Sequence, residues 1–82
     1  MRTLFVANLG TKITEEDVRS AFERHGIIDS VQLARDPANG VSRGVAFVRI
    51  SDDKRAAATV TAMTGSTIEG RSIRVSMISR SH

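Results

Sequence analysis

Two phenylalanines and the arginines around them are the residues of this chain best placed to do chemistry. Phe47 stands in residues 43–50 (RGVAFVRI), where Ala46, Val48 and Ile50 alternate with Val45, Phe47 and Arg49. In an extended strand successive side chains point to opposite faces. The first set therefore belongs to a core, and the second shares its face with a charge that belongs in solvent. A ring on that second face has no packing reason to be there. Phe5 repeats the pattern in residues 3–9 (TLFVANL), opposite in parity to Leu4 and Val6. Rings beside cations on a flat surface form a stacking platform for unpaired bases, whose π faces meet the rings while their phosphates meet the cations.

Such a platform needs a sheet with one covered face and one open face. Residues 30–35 (SVQLAR) alternate in the same way, with Val31 and Leu33 inward and Ser30, Gln32 and Ala34 on the platform side. Residues 72–77 put Ile73, Val75 and Met77 inward and Arg74 and Ser76 outward. Between these strands the apolar spacing becomes helical. Thr14 is a good N-cap, Asp17 completes a shortened capping box, and Ile13 and Val18 are placed to form a hydrophobic staple. Glu15, Glu16 and Asp17 suit the positive end of the helix dipole, and Val18, Ala21 and Phe22 form the buried stripe that ends at Gly26. A second helix starts at Ser51 or Asp52, buries Ala56, Thr59, Val60 and Met63, and closes at Gly65. Its β-branched Thr59, Val60 and Thr61 make it depend on packing. Pro37 and the Asn39-Gly40 pair mark the hairpin between the middle strands. That backbone role is sufficient reason for them, so they are not counted as binding residues.

The order strand, helix, strand, strand, helix, strand predicts an α+β fold of the ferredoxin-like split βαβ type (β-α-β-β-α-β). It is a four-stranded antiparallel sheet with two helices on one face. At 82 residues a single domain spanning 1–82 is expected, with its core at about 2–78 and a short tail at 79–82.

The formal charge is +3, and its distribution is uneven. The predicted strands and loops hold eight bases (Arg2, Lys12, Arg35, Arg43, Arg49, Arg71, Arg74, Arg80) against Asp29, Asp36 and Glu69, while the predicted helices are acidic or balanced. Positive potential on the sheet and its loops would steer a polyanion there in a salt-dependent way. With no cysteine, disulfides and thiolate metal sites are excluded. His25 and His82 alone cannot hold a metal, and no cofactor is expected. Without a nucleophilic cysteine, an HExxH pair, a phosphate loop or a serine elbow, no enzyme is expected either. No apolar run is long enough for a signal peptide or membrane span. The expectation is a monomer without membrane contact, cytoplasmic in a bacterium and nuclear or cytoplasmic in a eukaryote.

Residues 4–9 (LFVANL) resemble the short ribonucleoprotein hexamer of the RNA recognition motif family, and residues 43–50 resemble its octamer, with Arg43 and Gly44 leading. The similarity extends over nearly the whole chain. The resemblance implies that Phe5 and Phe47 each stack a base and that Arg43 contacts phosphate. It further implies that Arg49, Gln32, Arg74 and Ser76 read base edges or backbone beside them, with Thr3 and Arg80 completing the candidates. The implied partner is single-stranded RNA or single-stranded DNA, in post-transcriptional regulation or processing. One position departs from the pattern: the third octamer residue, usually Phe or Tyr, is Val45. A base stacked on an aromatic ring is worth about 1–3 kcal/mol, so modest affinity is expected. The other reading of an uncovered aromatic face is a protein-interaction module on the same fold with little RNA affinity, for which a protein partner would be required.

Overall fold

The computed structural model describes residues 2–78. In chain order the elements are β1 (Arg2–Ala7), α1 (Glu15–Glu23), β2 (Ser30–Arg35), β3 (Ser42–Ile50), α2 (Asp53–Met63), β4 (Thr67–Ile68), β5 (Arg71–Ser72) and β6 (Arg74–Ile78). The main sheet runs in the order β2-β3-β1-β6, with every neighbouring pair antiparallel. α1 packs against β2, and α2 against β1 and β6. The expected split βαβ fold is therefore the observed one.

Both helices start as their sequences dictate. Asp17 N–H donates to Thr14 Oγ1 and Thr14 N–H donates to Asp17 Oδ2, each at 3.1 Å, so the capping box is reciprocal. At α2 the cap is Asp52, whose Oδ1 accepts from the backbone N–H groups of Lys54 and Arg55 at 2.9 and 3.1 Å. Thr59 is buried inside α2, and its hydroxyl donates to Arg55 O at 2.7 Å, which satisfies the polar group the helix takes into the core. Leu4, Val6, Val18, Phe22 and Val48 are completely buried. Each such side chain contributes about 1.5–3 kcal/mol relative to leaving it in water. The parity that put Leu4 and Val6 in this core turned Phe5 to the other side.

Two features depart from the sequence reading. Residues 67–72 form a hairpin of their own, with β4 and β5 pairing only with each other. Ser72 therefore ends that hairpin instead of starting the last sheet strand, which runs from Arg74 to Ile78. β1 stops at Ala7 because Asn8 adopts φ 66°, a left-handed conformation that Asn tolerates better than most residues. After this turn Leu9 N–H donates to Gly44 O at 2.9 Å, fixing the loop against β3. Gly44 has φ +80°, and a Cβ there would lie 2.6 Å from Leu9 O, so this position requires glycine on two counts.

Candidate nucleic-acid interface

The antiparallel register sets the open face in rows. Phe5 lies opposite Phe47 on one side and Ser76 on the other, and Phe47 lies opposite Gln32, so one residue from each strand crosses the sheet as Gln32, Phe47, Phe5, Ser76. The next row is Ser30, Arg49, Thr3, Ile78. Arg74 lies opposite Ala7 on the far side of the ring row. Burial along β3 alternates without a break through Gly44, which keeps Arg43, Val45, Phe47 and Arg49 on one face.

The two rings are neighbours, with centroids 5.6 Å apart and planes inclined at 57°. Both are half-buried, as are Thr3 and Val45, while Gln32, Arg43, Arg49, Arg74 and Ser76 are exposed. The fold thus brings nine of the ten candidate residues to one face, and Arg80 lies outside the described residues. A shallow hollow between Phe47, Gln32, Ser30, Thr3 and Arg49 lies beside the ring pair. Val45 sits two residues from Phe47 on the same strand and face, where it offers contact area but no π surface.

The charge of this face is more selective than a count of basic residues suggests. Arg2 pairs with Asp53 (3.5 Å), Arg35 pairs with Glu15 (2.8 Å), and Arg71 is tied to Asn8. The Arg35 guanidinium holds the Glu15 carboxyl below its usual range, against an opposing but smaller effect of desolvation. Among the described residues no salt bridge involves Arg43, Arg49 or Arg74. These three cations therefore carry the unneutralised charge of the platform, and they surround the rings. Among the described residues no group of His, Cys, Asp and Glu could hold a metal ion.

Sequence reasoning missed two neighbours of the site. Ile78 continues β6 past Met77 and is exposed in the row beside Thr3, adding apolar surface to the platform. The period-two pattern of Arg74 and Ser76 extends to it and could have revealed it. The second is Arg71, whose Nε donates to Asn8 O at 3.1 Å and whose Nη2 donates to Asn8 Oδ1 at 3.0 Å. Asn8 Nδ2 in turn donates to Ser72 O at 2.6 Å. These bonds fasten the β4–β5 hairpin to the end of β1, beside Arg74. No local pattern announces a contact across 63 residues.

Comparison with known proteins bears on this geometry. The human serine/arginine-rich splicing factor 8 is 37% identical over 75 residues, covering 92% of this chain and 27% of that protein. RbpD of Nostoc sp. is 36% identical over 73 residues, covering 89% of this chain and 78% of that protein. The chain thus spans a small part of the human relative and most of the Nostoc one. Among solved structures, the second RRM domain of the yeast poly(U)-binding protein superposes with a TM-score of 0.89 at 27% identity, covering 100% of this chain and 99% of that one. A structure titled Sxl-lethal protein/RNA complex superposes with a TM-score of 0.83 at 32% identity, over 90% of this chain and 46% of that one. The family described as RNA recognition motif matches residues 4–74, a span that includes both paired rings, and the chain belongs to that family.

Proposed function

We propose that this chain binds single-stranded RNA on the open face of its sheet, with Phe5 and Phe47 each stacking one of two neighbouring bases. The observation that carries the reading is the half-buried ring pair on the open face, 5.6 Å between centroids, among three arginines that have no acidic partner among the described residues. Membership in a non-enzymatic family of RNA-binding domains supports RNA binding in general. Arg43, Arg49 and Arg74 meet phosphates, and Gln32, Ser76 and Thr3 offer hydrogen bonds to base edges or sugars. Because Val45 replaces an aromatic ring, the platform has two stacking positions where the family pattern has a third, and the affinity is modest. Stacking alone does not discriminate against single-stranded DNA.

The test is a fluorescence-anisotropy titration of a short random single-stranded RNA pool with the wild type and with the Phe5→Ala/Phe47→Ala double variant, circular dichroism confirming that both are folded. Each lost stack weakens binding by about tenfold or more. Unchanged affinity in the double variant would overturn the assignment and leave protein docking as the better account of the open face.

A further inference from the structure

The most exposed large apolar side chain among the described residues is not on the platform. Ile27, between α1 and β2, is 82% exposed, while the adjacent Ile28 is 5% exposed and in the core. Ile27 borders a hollow of about 570 Å³ whose other walls include Glu23, Gly26, Asp29, Asp52 and Arg55. Its floor is built by a specific contact. Gly26 takes φ +140° and leaves room for the Arg55 stem, which would lie 2.6 Å from a Cβ at that position. Arg55 Nη1 donates to His25 O at 2.9 Å, which holds the side chain over Gly26 in the same hollow that Ile27 lines.

The rim is also fixed in place. Asp52 is held by capping α2, Asp29 accepts a hydrogen bond from the Ser51 hydroxyl, and Glu23 is steadied by Arg19 at 3.3 Å. Two carboxylates in no salt bridge among the described residues, Asp29 and Asp52, and a third, Glu23, already paired with Arg19, surround an apolar surface that carries one guanidinium of its own, on a chain whose net charge is +3. This local reversal of sign determines what fits. A cationic segment is repelled by Arg43, Arg49 and Arg74 on the open sheet face and attracted here, whereas a nucleic acid strand experiences the opposite preference.

We propose that this edge of the molecule is a docking surface for a basic peptide segment, with one bulky apolar side chain seated on Ile27 and the Arg55 stem and flanking Lys or Arg side chains facing Asp29 and Asp52. The hollow shares no lining residue with the one beside the rings, so the proposal does not depend on RNA binding. With one anchor and a solvated rim, binding is weak and salt-sensitive.

The test is a backbone amide shift titration of the 82-residue chain with a pool of random octapeptides that place Arg or Lys around one central Leu or Trp. The control pool carries Glu in place of the bases. The basic pool is expected to move the amides of residues 26–29 and 51–55 and to leave those of Phe5 and Phe47 in place. Ile27→Ser, at an exposed position that does not threaten the fold, is expected to weaken the response by about tenfold. Asp29→Asn and Asp52→Asn preserve the hydrogen bonds and are expected to weaken it by about twofold to threefold each. The proposal is overturned if these amides do not move, if the acidic pool moves them equally, or if the response survives Ile27→Ser. It also falls if single-stranded RNA moves the same amides, since the edge would then belong to a nucleic-acid path.

Discussion

Arg71 and Asn8 hold each other across 63 residues of sequence, the guanidinium donating to both the carbonyl and the side-chain oxygen of an asparagine that sits at φ 66°. Asn8 thus has two separable functions, adopting a left-handed turn and tying down the β4–β5 hairpin. Asn8→Gly removes the side-chain bonds to Arg71 and Ser72 while the Arg71 Nε bond to the residue-8 carbonyl remains, and it is expected to cost about 1 kcal/mol, since the bonds are solvent-exposed. Asn8→Ala adds the left-handed backbone penalty and is expected to cost about 2 kcal/mol. Urea denaturation of the two variants separates the contributions, and equal losses would show that the turn conformation is not a constraint.

Gly44 meets a harder limit. A methyl group there would approach Leu9 O to 2.6 Å from a backbone at φ +80°. Gly44→Ala is therefore expected to destabilise the fold by about 3 kcal/mol or more, from backbone strain together with displacement of the Leu9 loop. Urea denaturation gives the loss, and amide shifts should place the disturbance at Leu9 and its neighbours. A loss below 1 kcal/mol would mean that the loop can move aside.

Val45 offers a gain-of-function test. It lies on the same face and strand as Phe47 and is half-buried, so a larger flat side chain extends over the open surface without entering the core. Val45→Phe is expected to tighten single-stranded RNA binding by about fivefold to tenfold, the lower part of what one base stack contributes. A titration showing no gain would place the bound strand elsewhere on the sheet.

The unneutralised arginines set the salt dependence. If Arg43, Arg49 and Arg74 each meet one phosphate, the logarithm of the RNA association constant should fall with the logarithm of salt concentration with a slope of about −2. Arg49→Gln should reduce that slope by about 0.7. Arg35→Gln should leave it nearly unchanged, because Arg35 is committed to Glu15. Equal effects of the two substitutions would mean that the Arg35 ion pair opens to meet RNA.

Glu15 gives a small acid-sensitive contribution of predictable sign. Arg35 lowers its carboxyl below the usual value of 4.5 in the folded chain. The carboxylate therefore supports the fold fully above that value and loses its contribution as pH falls through the lower, folded-state one. Glu15→Gln should flatten the acid limb of the stability curve in this window and leave the neutral-to-alkaline region parallel to wild type. Denaturation midpoints measured across the acid range test this, and a wild-type acid limb in the variant would assign the sensitivity to other carboxylates.

The parts of the fold that depend on short-range periodicity are legible in the sequence itself. Strict alternation in β1 and β3 placed Phe5 and Phe47 on one face because a strand's period is two, and antiparallel pairing then set them opposite each other. Thr14 and Asp17 announced α1 because a capping box is completed within a single turn. The hairpin at residues 67–72 escaped because two-residue strands are too short to show a period. The Asn8–Arg71 tie and the Glu15–Arg35 pair escaped because they join side chains that only the folded chain brings together. Ile27 escaped for a different reason, since an isoleucine beside another isoleucine reads as core, and only the turn at Gly26 decides which of the two faces water.

The 57° inclination between the rings of Phe5 and Phe47 bears on which nucleic acids can lie across both. Bases seated flat on the two rings would be tilted against each other by that same angle. Consecutive bases in a double helix are nearly parallel, so a duplex cannot settle on the pair without being pried open. Under the proposed stacking, discrimination against paired strands begins with the angle at which these two side chains meet.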